Sequence, residues 1–143
     1  MQTVRILAIR VDFPSDAMES TTGNGQFDYR TPEQFEQEEG HVIDQAPHDR
    51  LYIERHLEAM EAYYDVASFG QLQLTYRVVP NGLQTAYTLP NQMAFYSPDV
   101  DFFDPLKVDR LVTFLRDAFV AADQDPSITF ADYDAFIVFH AGS

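Results

Sequence analysis

Tyr133-Asp134-Ala135-Phe136-Ile137-Val138-Phe139-His140-Ala141-Gly142-Ser143 is the stretch that decides how this chain is read. Five consecutive apolar residues, two of them phenylalanine and two β-branched, run from Ala135 to a histidine and a small-residue turn. Such a run reads as a β-strand buried on both faces. A strand of that kind needs a neighbour on each side and packing above and below. The chain is therefore expected to be a piece of a domain, cut short of the elements that would complete the sheet.

Upstream, Thr3 to Phe13 has the same character. Leu7, Ile9, Val11 and Phe13 alternate with Val4, Ile6 and Ala8, so both faces are largely apolar and the strand belongs in the middle of a sheet. Pro14 ends it, because proline cannot continue the hydrogen-bond ladder. Residues 15–48 form the least regular section and are expected as a surface excursion, with a short helix opening at Thr31-Pro32-Glu33. A long amphipathic helix is predicted from Asp49 to Ala67, with Asp49 as cap and Gly70 as stop. Its sheet-facing stripe is Ile53, His56, Leu57, Met60, Tyr63, Tyr64 and Ala67.

Gln71 to Val79 alternates apolar and polar residues up to Pro80, as a strand with one wet face near a sheet edge does. Residues 86–96 read as extended, and their aromatics (Tyr87, Phe95 and Tyr96), with Phe102 and Phe103, are expected to cover the sheet. A second long helix, Pro105 to Asp123, carries the stripe Val108, Leu111, Val112, Leu115, Phe119 and Ala122. Right-handed crossovers between strand, helix, strand, helix and strand give three parallel strands in the spatial order 2-1-3.

Composition narrows the function classes. Nine Lys and Arg against 23 Asp and Glu give a formal charge of −14, which opposes binding to nucleic acid or to an anionic membrane. The chain has no cysteine, which removes disulfides, iron–sulfur clusters and thiol catalysis. No Gly-rich phosphate loop joins the first strand to its helix, which weakens nucleotide binding.

Three phrases together resemble one family. Ile6-Leu7-Ala8-Ile9-Arg10-Val11-Asp12-Phe13-Pro14 is similar to the opening strand of the secreted immune-inhibitor-A-like metallopeptidases, bacterial zinc proteases. Tyr63-Tyr64-Asp65-Val66-Ala67-Ser68-Phe69-Gly70-Gln71-Leu72 resembles that family's helix-to-strand junction, a Tyr-x-x-x-Ser-x-Gly pattern. Tyr133-Asp134-Ala135 through His140-Ala141-Gly142 is similar to its strand ending in His-Ala-Gly. Each phrase is short; their order across nearly the whole chain carries the resemblance.

The family's zinc motif, His-Glu-x-x-His on a helix, does not occur among His41, His48, His56 and His140. In the family that helix lies downstream of the His-Ala-Gly strand. The resemblance thus implies that residues 1–143 are the N-terminal α/β portion of a catalytic domain, truncated before the zinc helix, with no catalytic residue among them. The parent chemistry it implies is peptide hydrolysis by a zinc-activated water.

His140, at the carboxyl end of a strand, reads either as a structural histidine bonded to the next loop, which is favoured, or as a cleft-proximal group. His56 reads as partly buried core, and His41 and His48 as exposed. Asp99, Asp101 and Asp104 are candidate calcium ligands, as are Asp12 and Asp16, since calcium collects oxygens from loops. Asp104 also reads as the cap of the second helix.

The expectation is an α/β, zincin-like three-layer fragment with a mostly parallel three-stranded sheet and two long helices. It would be the scaffold of a secreted or cell-surface bacterial endopeptidase acting on protein or peptide substrates. Zinc would be held outside this segment, and the piece alone would be inactive. Residues 135–140 would present an unpaired edge able to self-associate. The alternatives are a non-enzymatic extracellular binding or adhesion module, or an unrelated doubly wound binding domain.

Overall fold

A computed structural model describes residues 1–142. The elements are β1 (Gln2–Asp12), α1 (Pro32–Glu39), α2 (Arg50–Ala67), β2 (Leu72–Val79), β3 (Tyr87–Thr88), α3 (Met93–Tyr96), α4 (Pro105–Asp123) and β4 (Ala135–His140). They build an α/β fold on an open, parallel sheet. β1 is central and pairs along Gln2–Ile9 with β2 on one side and along Ile6–Val11 with β4 on the other. The three long strands thus take the expected 2-1-3 order. A fourth, β3, was not expected: it pairs Tyr87 and Thr88 with Val11 and Asp12, just beyond the stretch of β1 that β2 covers.

The period of two along β1 divides the core into two layers. Leu7, Ile9, Val11 and Phe13 face α3 and α4, packing on Met93, Tyr96, Ala118 and Ala122. Ala8 faces α2, packing with Val78 on Ile53 and Leu57. Side-chain caps set the helix starts: Asp49 accepts from Tyr52 N at 3.1 Å, and Asp104 from Leu106 N at 2.8 Å. Thr31 and Gln34 close a reciprocal capping box at the start of α1.

Several expectations are corrected. On α4, Phe119 and Ala122 of the expected stripe do reach the core, beside Ala118, whereas Val108, Leu111, Val112 and Leu115 are exposed. On α2 only Ile53 and Leu57 are buried; His56, Tyr63, Tyr64 and Ala67 lie outside the contact. Residues 93–96 are helical, Tyr87, Phe95 and Tyr96 join the core, and Phe102 and Phe103 stand in solvent. β4 is only half-buried. Among the described residues it pairs with β1 alone, and Phe136 is 39% exposed.

The end of α2 also differs in detail. The left-handed residue is Phe69, at φ 56, one position before Gly70 at φ 73. The amides of Phe69 and Gly70 bond the carbonyls of Val66 and Asp65 at 3.1 and 2.8 Å, a complete Schellman closure. Ser68 Oγ then accepts from Leu72 N at 2.9 Å, joining the helix end to the first residue of β2. The Ser-x-Gly part of the phrase is therefore a turn with a definite hydrogen-bonding role.

Candidate functional site

The carboxyl ends of β1 and β4 lie side by side, with Val11 opposite His140 and the amide of Ala141 donating to Val11 O at 3.1 Å. Open parallel sheets bind ligands outside these ends, where neighbouring connections leave toward opposite faces. The turn that follows β4 is fixed by Gly142, at φ 73. A Cβ there would stand 2.8 Å from both Thr22 O and Met93 Cε. Only glycine fits without displacement. A pocket opens on each side of this turn.

On the α4 side, three rings meet around Phe13. Its centroid lies 5.7 Å from Tyr96, 6.2 Å from Phe114 and 6.2 Å from His140, and Phe114 lies 5.6 Å from His140. With Met93 beneath and Leu111 and Ser97 at the mouth they line a pocket of about 180 Å³. The Tyr96 hydroxyl donates to Asp117 at 2.9 Å. Burial, more than that bond, raises its pKa. His140 Nδ1 lies 3.3 Å from Ala141 O. His140 thus bonds the turn that follows it and stands in the lining of this pocket.

On the α2 side, a pocket of about 470 Å³ is lined by Asp28, Asp44, His48, Tyr52, His56 and His140 among others. The Tyr52 ring lies between two histidines in tilted contact, 4.7 Å from His48 and 4.5 Å from His56. Its hydroxyl donates to Asp44 at 2.8 Å. Burial, reinforced by that carboxylate, pushes the Tyr52 pKa up to about 12. His48 Nε2 lies 3.5 Å from Asp44 Oδ1. His56 Nδ1 lies 2.9 Å from Tyr52 O, and because a carbonyl only accepts, this nitrogen carries the proton.

Two histidine readings are therefore corrected. His56 is exposed on the pocket side of α2, and His48 is half-buried; His41 is exposed as read. The signal that could have found the group is the four-residue step His48, Tyr52, His56, which passes from the loop into the helix.

The acidic candidates do not converge. Asp104 spends its carboxylate on the cap of α4, Asp99 and Asp101 are exposed, and Asp101 joins Asp104 only through its carbonyl, at 2.9 Å. Asp12 Oδ1 and Asp16 Oδ2 are each buried without a hydrogen-bond partner. Among the described residues no group of three or more His, Asp or Glu side chains is placed to hold a metal ion. The zinc implied by the resemblance does not fit these residues, and no reaction step is assigned to them.

Sequence patterning missed Arg10, which is 0% exposed on the α2 face of β1. It donates to Gly82 O at 3.3 Å, Leu83 O at 3.2 Å and Tyr29 Oη at 3.1 Å, while its Nε has no partner. Its plane stands 5.4 Å from the Phe27 ring. Burial lowers its pKa. The guanidinium ties the loops at 27–30 and 82–83 to the end of the central strand. Comparisons with protein-family models, curated proteins and solved structures return no match.

Proposed function

We propose that this chain is the scaffold portion of a secreted, zinc-dependent endopeptidase resembling the immune-inhibitor-A-like family, with the zinc ligands outside residues 1–143. The observation that carries this reading is the meeting of two of the resembling phrases. The His-Ala-Gly turn packs on the Val-Asp-Phe-Pro phrase, through Phe13 against His140 at 6.2 Å and Ala141 N to Val11 O at 3.1 Å. The third phrase supplies the α2–β2 junction beside the same strand. In this role the sheet supports the zinc helix and forms one wall of the cleft. No catalytic residue lies in the chain itself.

The test compares the full gene product that carries this chain with the 143-residue chain alone, for zinc content and proteolysis. Stoichiometric zinc and chelator-sensitive peptidase activity in the full product, with neither in the short chain, is the expected result. A folded full product with neither metal nor activity overturns the enzyme reading and leaves a binding or adhesion module on this fold.

A further inference from the structure

We infer that the pocket ringed by Phe13, Tyr96, Phe114 and His140 is a binding site for a single uncharged, ring-sized apolar group. The size sets the first limit. Its volume of about 180 Å³ is close to that of cavities of ~150 Å³ that take up benzene. It has room for one phenyl ring.

The lining sets the chemistry. The floor is Phe13, Met93 and Tyr96, all buried, and the walls are Phe114 and His140. Rings at centroid distances of 5.6 to 6.2 Å present both faces and edges, the arrangement in which an inserted ring finds tilted contacts. Met93 adds a polarisable thioether, which also favours contact with a ring edge.

Charge selects against the other ligand that aromatic walls attract. Rings around a pocket can hold a cation over their faces, and a chain of charge −14 would draw one in. No carboxylate lines this pocket, however. Its polar members are the Tyr96 hydroxyl, already engaged between Asp117 at 2.9 Å and Asn91 at 3.5 Å, and the side chains of Ser97 and His140, neither of which is an anion. A cation here would lose its hydration without gaining a counter-ion, whereas an apolar ring loses nothing.

Leu111 of α4 lines the pocket and is 55% exposed, so the pocket borders solvent there. The ring can thus arrive as a free small molecule or as the side chain of an apolar residue in a peptide. The site stands whether or not the parent protein is a peptidase.

The experiment is an NMR titration of the 143-residue chain with benzene, N-acetylphenylalaninamide and tetramethylammonium. Saturable, one-to-one shifts of the Phe13, Phe114 and His140 ring signals with benzene are expected, with none from tetramethylammonium. Leu111→Trp closes the mouth from an exposed position and should weaken benzene binding by about ten-fold or more. Val112→Trp, at the next, exposed position, which does not line the pocket, should leave binding unchanged. Tighter binding of the amide than of benzene marks a peptide side chain as the source; equal or weaker binding marks a free ring. The inference is overturned if no ring compound saturates, if Leu111→Trp binds like the unaltered chain, or if tetramethylammonium outcompetes benzene.

Discussion

Arg5 and Asp134 clamp the start of β4 to the central strand through both side chain and backbone. Arg5 Nε donates to Asp134 Oδ2 at 3.0 Å and Nη2 to Oδ1 at 3.1 Å, the two-point geometry in which guanidinium and carboxylate match best. The Arg5 amide adds a bond to Oδ2 at 2.9 Å, and the Asp134 amide returns one to Arg5 O at 2.8 Å. The aspartate of the Tyr-Asp-Ala phrase is thus the residue that sets the register of β4 against β1.

This clamp gives the chain a defined acid dependence. The hydrogen bonds from Arg5 hold the Asp134 carboxyl at about 2, below its ordinary 3.8. A carboxyl depressed on folding stabilises the folded state above its unfolded pKa and stops doing so as pH falls through the folded one. The Asp134 contribution is therefore complete above 3.8 and lost as pH falls through about 2. Asp134→Asn should lower the urea midpoint at neutral pH and converge on the unaltered chain at the acid end of that window. A gap between the two proteins that is the same at both ends would show that the clamp is not its source.

Phe69 predicts a gain in stability. It occupies the left-handed region at φ 56 with its side chain 91% exposed, so its ring contributes almost no burial. A left-handed conformation costs a residue with a Cβ about 1–2 kcal/mol. Glycine removes that strain but adds unfolded-state entropy worth about 0.4–1 kcal/mol. Phe69→Gly should therefore stabilise by about 0.5–1 kcal/mol, read as a higher urea midpoint at unchanged slope. A lower midpoint would mean that the phenyl ring has contacts worth more than the strain.

Local rules made the helices and the strand order legible, while facing and burial depended on contacts far apart in sequence. Asp49 and Asp104 each stand one residue before a helix and bond into its first turn, so both starts were read correctly. The face α4 turns to the sheet was legible only in part: Phe119 and Ala122 belong to it, but apolar residues line more than one side and Ala118 lies outside the expected stripe. At the candidate site, His140 was marked by its place at a strand end. The contact of His48 and His56 with Tyr52 spans a loop and a helix, so the pattern of neither segment alone carries it. Arg10 looked like any basic residue in an alternating strand. Its burial is set by Tyr29, Gly82 and Leu83, which the sequence alone does not bring near it.

Arg10 is accordingly predicted to be among the most sensitive positions. Its removal takes a donor from the carbonyl of Gly82 and the hydroxyl of Tyr29, at 3.3 and 3.1 Å, while Leu83 O keeps the Arg50 amide at 2.9 Å. A buried polar group left unsatisfied costs about 1–3 kcal/mol. Arg10→Ala should destabilise by about 3 kcal/mol or more, combining those losses with a cavity. Arg10→Met should recover part of this, since methionine refills the space and carries no charge to desolvate. Amide hydrogen exchange should quicken first in residues 27–30 and 80–86. Uniform quickening along the chain would instead make Arg10 a general core residue with no special hold on those loops.

Gly142 joins the candidate site to the fold. Its φ of 73 already disfavours any residue with a Cβ, and an added methyl would stand 2.8 Å from Thr22 O, a backbone atom with little freedom to retreat. On its other side lie Met93 Cε at 2.8 Å and Sδ at 2.9 Å, which belong to a flexible side chain that can yield. Strain and overpacking together predict that Gly142→Ala destabilises by about 2–3 kcal/mol. The yielding methionine forms the floor of the aromatic pocket, so the same substitution should also shift the ring signals of Phe13, Phe114 and His140. Met93→Ala in the Gly142→Ala background removes one of the two clashes and should restore part of the stability, which a double-mutant cycle reads directly. Simple additivity of the two substitutions would place the whole penalty on the backbone at Thr22 and free the pocket floor from any part in it.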